Sequence, residues 1–187
     1  MKWARASHHL RTLADECARM HAVSGRIESL SVVQLWAFGD VVASNADLDF
    51  AEVALVVDVP EVPWLSVPDG GTWWSRSARL KDPLRAFWRS SRVPVWNHRI
   101  VQPVLLWDVE NGVAEDAFSD LGGFRVAAPS PDELRDRLDL ELATSLKAMR
   151  AAAEVYETTR WSPRKLEPVA DDLHAVTKGY LDILDAR

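Results

Sequence analysis

Two aspartates one residue apart, Asp47 and Asp49, open a run that is otherwise almost wholly apolar, Phe50 to Val57. In an extended segment successive side chains alternate sides, so both carboxylates leave one side and Leu48 the other. Carboxylates placed in this way can take a hard cation. Mg²⁺ prefers oxygen ligands at about 2.1 Å and keeps waters or substrate phosphates in its remaining positions. A pair of such ions clamping the attacking and leaving oxygens is a route to phosphoryl or nucleotidyl transfer. A third carboxylate normally completes the set. Asp108, late in the apolar run Val104 to Trp107, is the candidate, provided a neighbouring strand brings it alongside the pair. The same residues also fit ordinary turn chemistry, in which Asn45 and Asp47 accept hydrogen bonds from nearby backbone amides within an unrelated α+β sandwich.

The elements that must position these groups can be read from spacing. Trp3, Ala6, Leu10, Leu13, Ala14, Cys17 and Met20 recur at three-to-four spacing and predict a helix from Trp3 to about Val23, stopped by Gly25. Leu30 to Phe38 is β-branched and aromatic on both faces, which predicts a buried strand ending at Gly39. Asp40 to Ala46 reads as a linker and Asp47 to Val57 as a second strand. Three prolines and Gly70-Gly71 make residues 60–72 a loop, and Trp73-Trp74 follow it. Asp82-Pro83 predicts an N-cap and a short helix to about Ser91, with Leu84, Phe87 and Trp88 inward and Arg85, Arg89 and Arg92 outward. Ile100 to Val109 reads as a strand with Pro103 at an edge or bulge, and Phe124 to Ala127 as a shorter one. Ser130-Pro131-Asp132-Glu133 is a capping box that opens a long helix to about Thr159, striped by Leu134, Leu138, Leu142, Leu146, Met149, Ala153 and Tyr156. After breaks at Pro163 and Pro168, Leu173, Val176, Tyr180, Ile183 and Leu184 mark a final helix. The expected class is α+β: a mixed sheet of about four to five strands flanked by helices, with a C-terminal helical pair. Residues 1–187 are expected to form a single domain, with 1–128 as the α/β core and 129–187 as helices packed on it.

Composition narrows the function. The chain has 187 residues, 48% hydrophobic and 27% charged, which suits a globular domain with its own core. No apolar segment is long enough to span a bilayer and no secretory leader is visible, so a cytoplasmic protein without a membrane partner is expected. Cys17 is the lone cysteine, which excludes an intrachain disulfide and a cysteine-based zinc knuckle. The net charge of −6 argues against general nucleic-acid binding, yet residues 73–100 hold seven basic residues against Asp82 alone. Arginine donates two parallel hydrogen bonds to phosphate, which makes Arg85, Arg89 and Arg92 candidates for a phosphate-binding stripe. A solvated basic face is the plainer alternative. Six of the nine tryptophans, Trp64, Trp73, Trp74, Trp88, Trp96 and Trp107, crowd the stretch from 64 to 107 around these arginines, and Trp74 is the ring placed at the candidate substrate surface.

Taken in order, Phe38-Gly39, Asp47-Leu48-Asp49-Phe50 and Trp107-Asp108-Val109 resemble the polymerase-β-type nucleotidyltransferase superfamily. The resemblance covers roughly residues 27–110. It implies a mixed sheet flanked by helices and, in active members, Mg²⁺-dependent transfer of a nucleoside monophosphate from a nucleoside triphosphate. Gly39, Asp40, Arg85, Arg89, Arg92 and Trp74 would then meet substrate, and Asp47, Asp49 and Asp108 would hold Mg²⁺ and catalyse. Asp40 stands where the family carries a serine that helps hold the triphosphate, and an acidic side chain there repels phosphate unless compensated. Two readings follow: an active nucleotidyltransferase, or a catalytically inactive binding or regulatory module working through a protein partner or as a homodimer.

Overall fold

In the computed structural model the described residues are 1–23, 30–44, 46–162, 164 and 166–187. The readings placed on Gly25, Asn45 and Pro163 lie outside them. The chain divides into two compact units, one formed by residues 1–60 and 67–128 and the other by 61–66 and 129–187.

The first unit is built on a five-stranded mixed sheet. Helix α1 (Trp3–Val23) leads to β1 (Val32–Phe38), a short helix α2 (Asp40–Ala43), β2 (Ala51–Val57), α3 (Gly71–Ser77), β3 (Leu84–Ser90), β4 (Val104–Asp108) and β5 (Gly112–Val113). The strand order is β3-β2-β1-β4-β5. β1 is antiparallel to both β2 and β4, whereas β2 and β3 run parallel. Central strands covered on both faces should be apolar throughout, and β2 obeys this: from Val53 to Val57 no residue is more than 2% exposed. The predicted stripe of α1 is the buried one, since Ala6, Leu10, Leu13, Ala14, Cys17 and Met20 are all core residues, and the helix lies against β1 and β4.

Four local expectations change. Leu84–Ser90, expected to be helical, form strand β3 after a cis Asp82–Pro83 peptide bond. Arginine, leucine and alanine favour helix by propensity, but the parallel ladder to β2, from Ala51↔Leu84 to Val57↔Ser90, overrides it. Trp88 points to the side of α3, where Trp74 meets it edge-on at 5.8 Å, while Phe87 on the other side meets Phe38 at 5.4 Å. Residues 40–43, expected as linker, are the short helix α2, and α3 (Gly71–Ser77) begins inside the stretch 60–72 expected as a loop. Phe124 to Ala127 is not a strand, because Leu121–Phe124 is a 3-10 turn in which the Asp120 carboxylate accepts the amide of Gly123. Pro103 immediately precedes β4, whose first residues pair with β1 alone, since β5 reaches only Trp107 and Asp108, and the β1–β4 ladder shifts register between Leu35 and Trp36.

The second unit pairs α4 (Pro131–Thr159) with α5 (Leu166–Ala186). The capping box is present in both directions: Ser130 Oγ accepts the Glu133 amide, and the Glu133 carboxylate accepts the Ser130 amide at 2.8 Å. The buried stripe of α4 runs through Leu138, Leu142 and Ala152 and includes Arg137, Glu141 and Ser145, while Ala153 is exposed. Pro168 sits in the first turn of α5 and does not break it, because the first amides of a helix need no partner within the helix. The strap of residues 61–66 belongs to this unit. Trp64, 1% exposed, donates its indole N–H to Asp182 at 2.7 Å, and Lys147 pairs with Glu61 at 2.8 Å. Gly179 is buried beneath the strap, where an added Cβ would lie 2.0 Å from the carbonyl oxygen of Trp64. Among the described residues no helix is long and apolar enough to cross a membrane.

Candidate functional site

The Gly39 end of the sheet gathers most of the residues singled out by sequence. Gly39 ends β1 with φ 73° and ψ −148°, a conformation that L side chains rarely adopt. Its carbonyl accepts the amides of Val42 and Ala43, which starts α2. Glycine is favoured here by the backbone angle, and the Glu52 carboxylate lies close, with Oε2 2.6 Å from where a Cβ would stand. Asp40 is the exposed first residue of α2.

Asp47 and Asp49 lie just ahead of β2, which begins at Ala51, so the strand does not carry them as expected. The alternation nonetheless persists: both aspartates are exposed and Leu48 is 5% exposed. Backbone pairing fixes this segment, because the Leu48 amide donates to the Met1 carbonyl at 2.8 Å and the Met1 amino group donates back to the Leu48 carbonyl. One step further on, the Ala51 amide donates to Pro83 O at 2.9 Å and docks the start of β3.

Asp108 is not alongside this pair. The register sets Asp108 opposite Gln34, and Gln34 opposite Val56. Asp49 and Val56 are seven residues apart, so Asp108 stands roughly 20 Å away, at the other end of the sheet. There it organises the β4–β5 turn: Oδ1 accepts the amides of Glu110 at 2.8 Å and Asn111 at 2.6 Å, and the Asn111 side chain donates to both oxygens. Burial opposes ionisation of this carboxyl, but the Asn111 side chain and the two backbone amides outweigh it and hold its pKa below the ordinary aspartate value. Among the described residues no group of three or more histidine, cysteine or acidic side chains could hold a metal ion.

The predicted arginine stripe is dispersed for the same geometric reason. In β3, Arg85 and Arg89 share a face, but Arg85 lies at the exposed Gly39 end and Arg89 is 1% exposed. Arg92 lies beyond the strand and pairs with Asp58 at 2.9 Å. Trp74, expected at the substrate surface, is 2% exposed and packed on Trp88, whereas its neighbour Trp73 is the half-exposed ring. Two residues not assigned to the site join it. Glu52, opposite Phe38 on one side and Arg85 on the other, pairs with Arg99 at 2.9 Å. Arg99 also sits 5.3 Å over the Phe87 ring, and Arg85 stacks 3.3 Å over Phe50. The available signal was Glu52 itself, the only charge in the apolar strand Ala51–Val57, since a half-buried carboxylate requires a partner.

Sheet and site together define an α+β protein with an Asp-x-Asp segment beside a glycine turn. The chain belongs to the family described as Domain of unknown function (DUF7711), whose model matches residues 1–187. Among solved structures it is similar to that of a putative nucleotidyltransferase from Sulfolobus solfataricus, with a TM-score of 0.41 and 17% identity, over 61% of this chain and 94% of that one. No curated protein matches it.

Proposed function

We propose that this chain is a nucleotidyltransferase-like module of the cytoplasm that binds a nucleotide at the Gly39 end of its sheet without transferring it. One observation carries the reading: the strand running parallel beside β2 presents Arg85 next to Glu52, and Asp108 stands at the opposite end. Two-metal transfer asks for a third carboxylate facing the Asp-x-Asp pair. Arg85 lies at the same end of the sheet as the pair but on the Glu52 face, where a guanidinium favours phosphate oxygens.

Asp47 and Asp49 are exposed and separated by one buried residue, which fits a single Mg²⁺ whose other positions are filled by phosphates and water. When bound, the ion would neutralise the repulsion between these carboxylates and the nucleotide phosphates. Asp40 adds negative charge at the same rim, so binding should depend steeply on the cation. The protein's own contributions are Arg85 braced on Phe50 and Glu52, seated against the Gly39 turn, neutralised by Arg99.

Calorimetry with ATP in the presence of Mg²⁺ or of a chelator tests the reading, together with an assay for pyrophosphate release. The expected result is Mg²⁺-dependent binding that is weakened in Asp47→Asn, Asp49→Asn and Arg85→Ala, with no pyrophosphate released. No heat at millimolar nucleotide would remove the nucleotide, and steady pyrophosphate release would restore the enzyme.

A second observation favours a role through a protein partner or a second copy. In the α4–α5 unit Leu140, Val155, Trp161, Leu181 and Leu184 are 45–80% exposed, an unusual density of large apolar groups for two neighbouring helices. Light scattering on wild type and on Leu181→Glu/Leu184→Glu reads this directly: a dimer that the double substitution dissociates supports it, and a monomer in both rejects self-association.

A further inference from the structure

A cleft of about 190 Å³ opens in the first unit between α1 and the segment joining α3 to β3. That is far more than the roughly 15 Å³ needed to hold one water. Leu13 and Leu80 contribute apolar wall, and the polar lining comes from His9, Thr12, Glu16, Arg79, Lys81 and Asp82. None of these residues belongs to the Gly39 site.

Two features of this cleft point the same way. The Nε2 atom of His9 is buried and has no hydrogen-bond partner among the described residues. Leaving such an atom unmet costs about 1–3 kcal/mol, so a group that supplies the missing bond would be favoured there. The charge around the ring is positive: besides its desolvation, Arg5, His8 and Lys81 all disfavour the imidazolium. Of the two acidic groups lining the cleft, Glu16 is neutralised by Arg19 at 2.6 Å, which leaves Asp82 against Arg5, Arg79 and Lys81. Arg79 closes the end of α3: it holds φ 54°, its amide donates to Arg76 O at 3.1 Å and the Leu80 amide donates to Ser75 O at 2.8 Å, the hydrogen-bond pattern of a helix C-terminus, which sets Lys81 and Asp82 directly after it.

We infer that this cleft binds a phosphate group, with His9 Nε2 donating to one oxygen and Lys81 and Arg79 meeting the others. The phosphate can be free or carried by a nucleotide. In either case the bound anion offsets the positive charge around His9 and favours its protonated form.

The test uses the full chain in Mg²⁺-free buffer at constant ionic strength and follows the histidine ring resonances by ¹H–¹⁵N NMR. Inorganic phosphate is titrated in one arm and adenosine monophosphate in the other. Saturable movement of the His9 signals with a raised His9 pKa, while those of exposed His8 stay put, is the expected result. Response to inorganic phosphate assigns a free-anion site, and response to the monophosphate ester alone assigns a nucleotide-borne one. Lys81→Gln should weaken binding roughly tenfold. Asp47→Asn/Asp49→Asn should leave it unchanged, which separates this inference from the nucleotide reading above. No saturation of His9 at tens of millimolar in either arm, parallel movement of His8, or an unaltered response in Lys81→Gln would overturn it.

Discussion

Replacing Gly179 by alanine should destabilise the second unit, against the direction that helix propensity gives. Gly179 lies within α5 (Leu166–Ala186), where alanine is favoured over glycine by about 1 kcal/mol. The structure opposes this gain, because the new methyl carbon would lie 2.0 Å from the carbonyl oxygen of Trp64 and 2.9 Å from its carbon. Neither atom can rotate away, since both belong to the backbone, so α5 or the strap must shift by more than an ångström. Such overpacking costs typically 1–3 kcal/mol, and the upper end applies against backbone. The shift also removes the 2.7 Å bond from Trp64 to Asp182, worth about 1.5 kcal/mol because its acceptor is charged. The net loss is about 3 kcal/mol, a fall in Tm of roughly 6–12 °C for a chain of this size. Urea unfolding followed by circular dichroism measures the loss, and tryptophan fluorescence reports the displaced indole. An alanine variant as stable as wild type, or more so, would refute the close approach of strap and helix.

Three further outcomes can be checked. Arg137 and Glu141 pair at 2.9 Å with 7% and 6% exposure, so Arg137→Met should cost about 3–5 kcal/mol while Arg137→Met/Glu141→Leu recovers most of it; a double variant no better than the single one in urea titrations would contradict this. Because the pKa of Asp108 is lowered on folding, its stabilising contribution is complete above the ordinary aspartate value of about 3.9 and is lost as pH falls through the folded value. The stability gap between wild type and Asp108→Ala should therefore hold steady through neutral pH and narrow only in strong acid, and a gap that narrows near neutrality would count against the turn role. Burial, reinforced by the Glu16 charge, pushes the Cys17 thiol above its usual range. A thiol reagent should label it only at the rate of unfolding, and prompt labelling of the native protein would place it elsewhere.

Periodicity made α1, β1, the body of β2, α4 and α5 legible, because each buries one stripe or two faces of apolar residues and α4 also carries its start signal in Ser130 and Glu133. It failed at β3, where Leu84 to Ser90 satisfies both a helical and a strand pattern and the partner strand decides between them. Within the site, Gly39 and the alternating exposure of Asp47, Leu48 and Asp49 are local properties and were readable. Asp108 was not, because strand order alone says that a neighbour is close but leaves open which end of it faces the pair, and the antiparallel register sends Asp108 away. The partnership of Glu52 with Arg99 joins residues 47 positions apart, and only the assembled sheet brings them together.

The strap of residues 61–66 leaves the first unit after Pro60 and rejoins it at Val67, while its own contacts are made with α5 and α4. Severing the backbone between Ala128 and Pro129 would therefore not divide the molecule into two independent pieces. The amino-terminal fragment would keep Trp64, the plug that α5 is shaped around, and the carboxy-terminal fragment would keep the socket. The two should find each other again when mixed, which makes this junction a place where the protein can be supplied in halves and reconstituted.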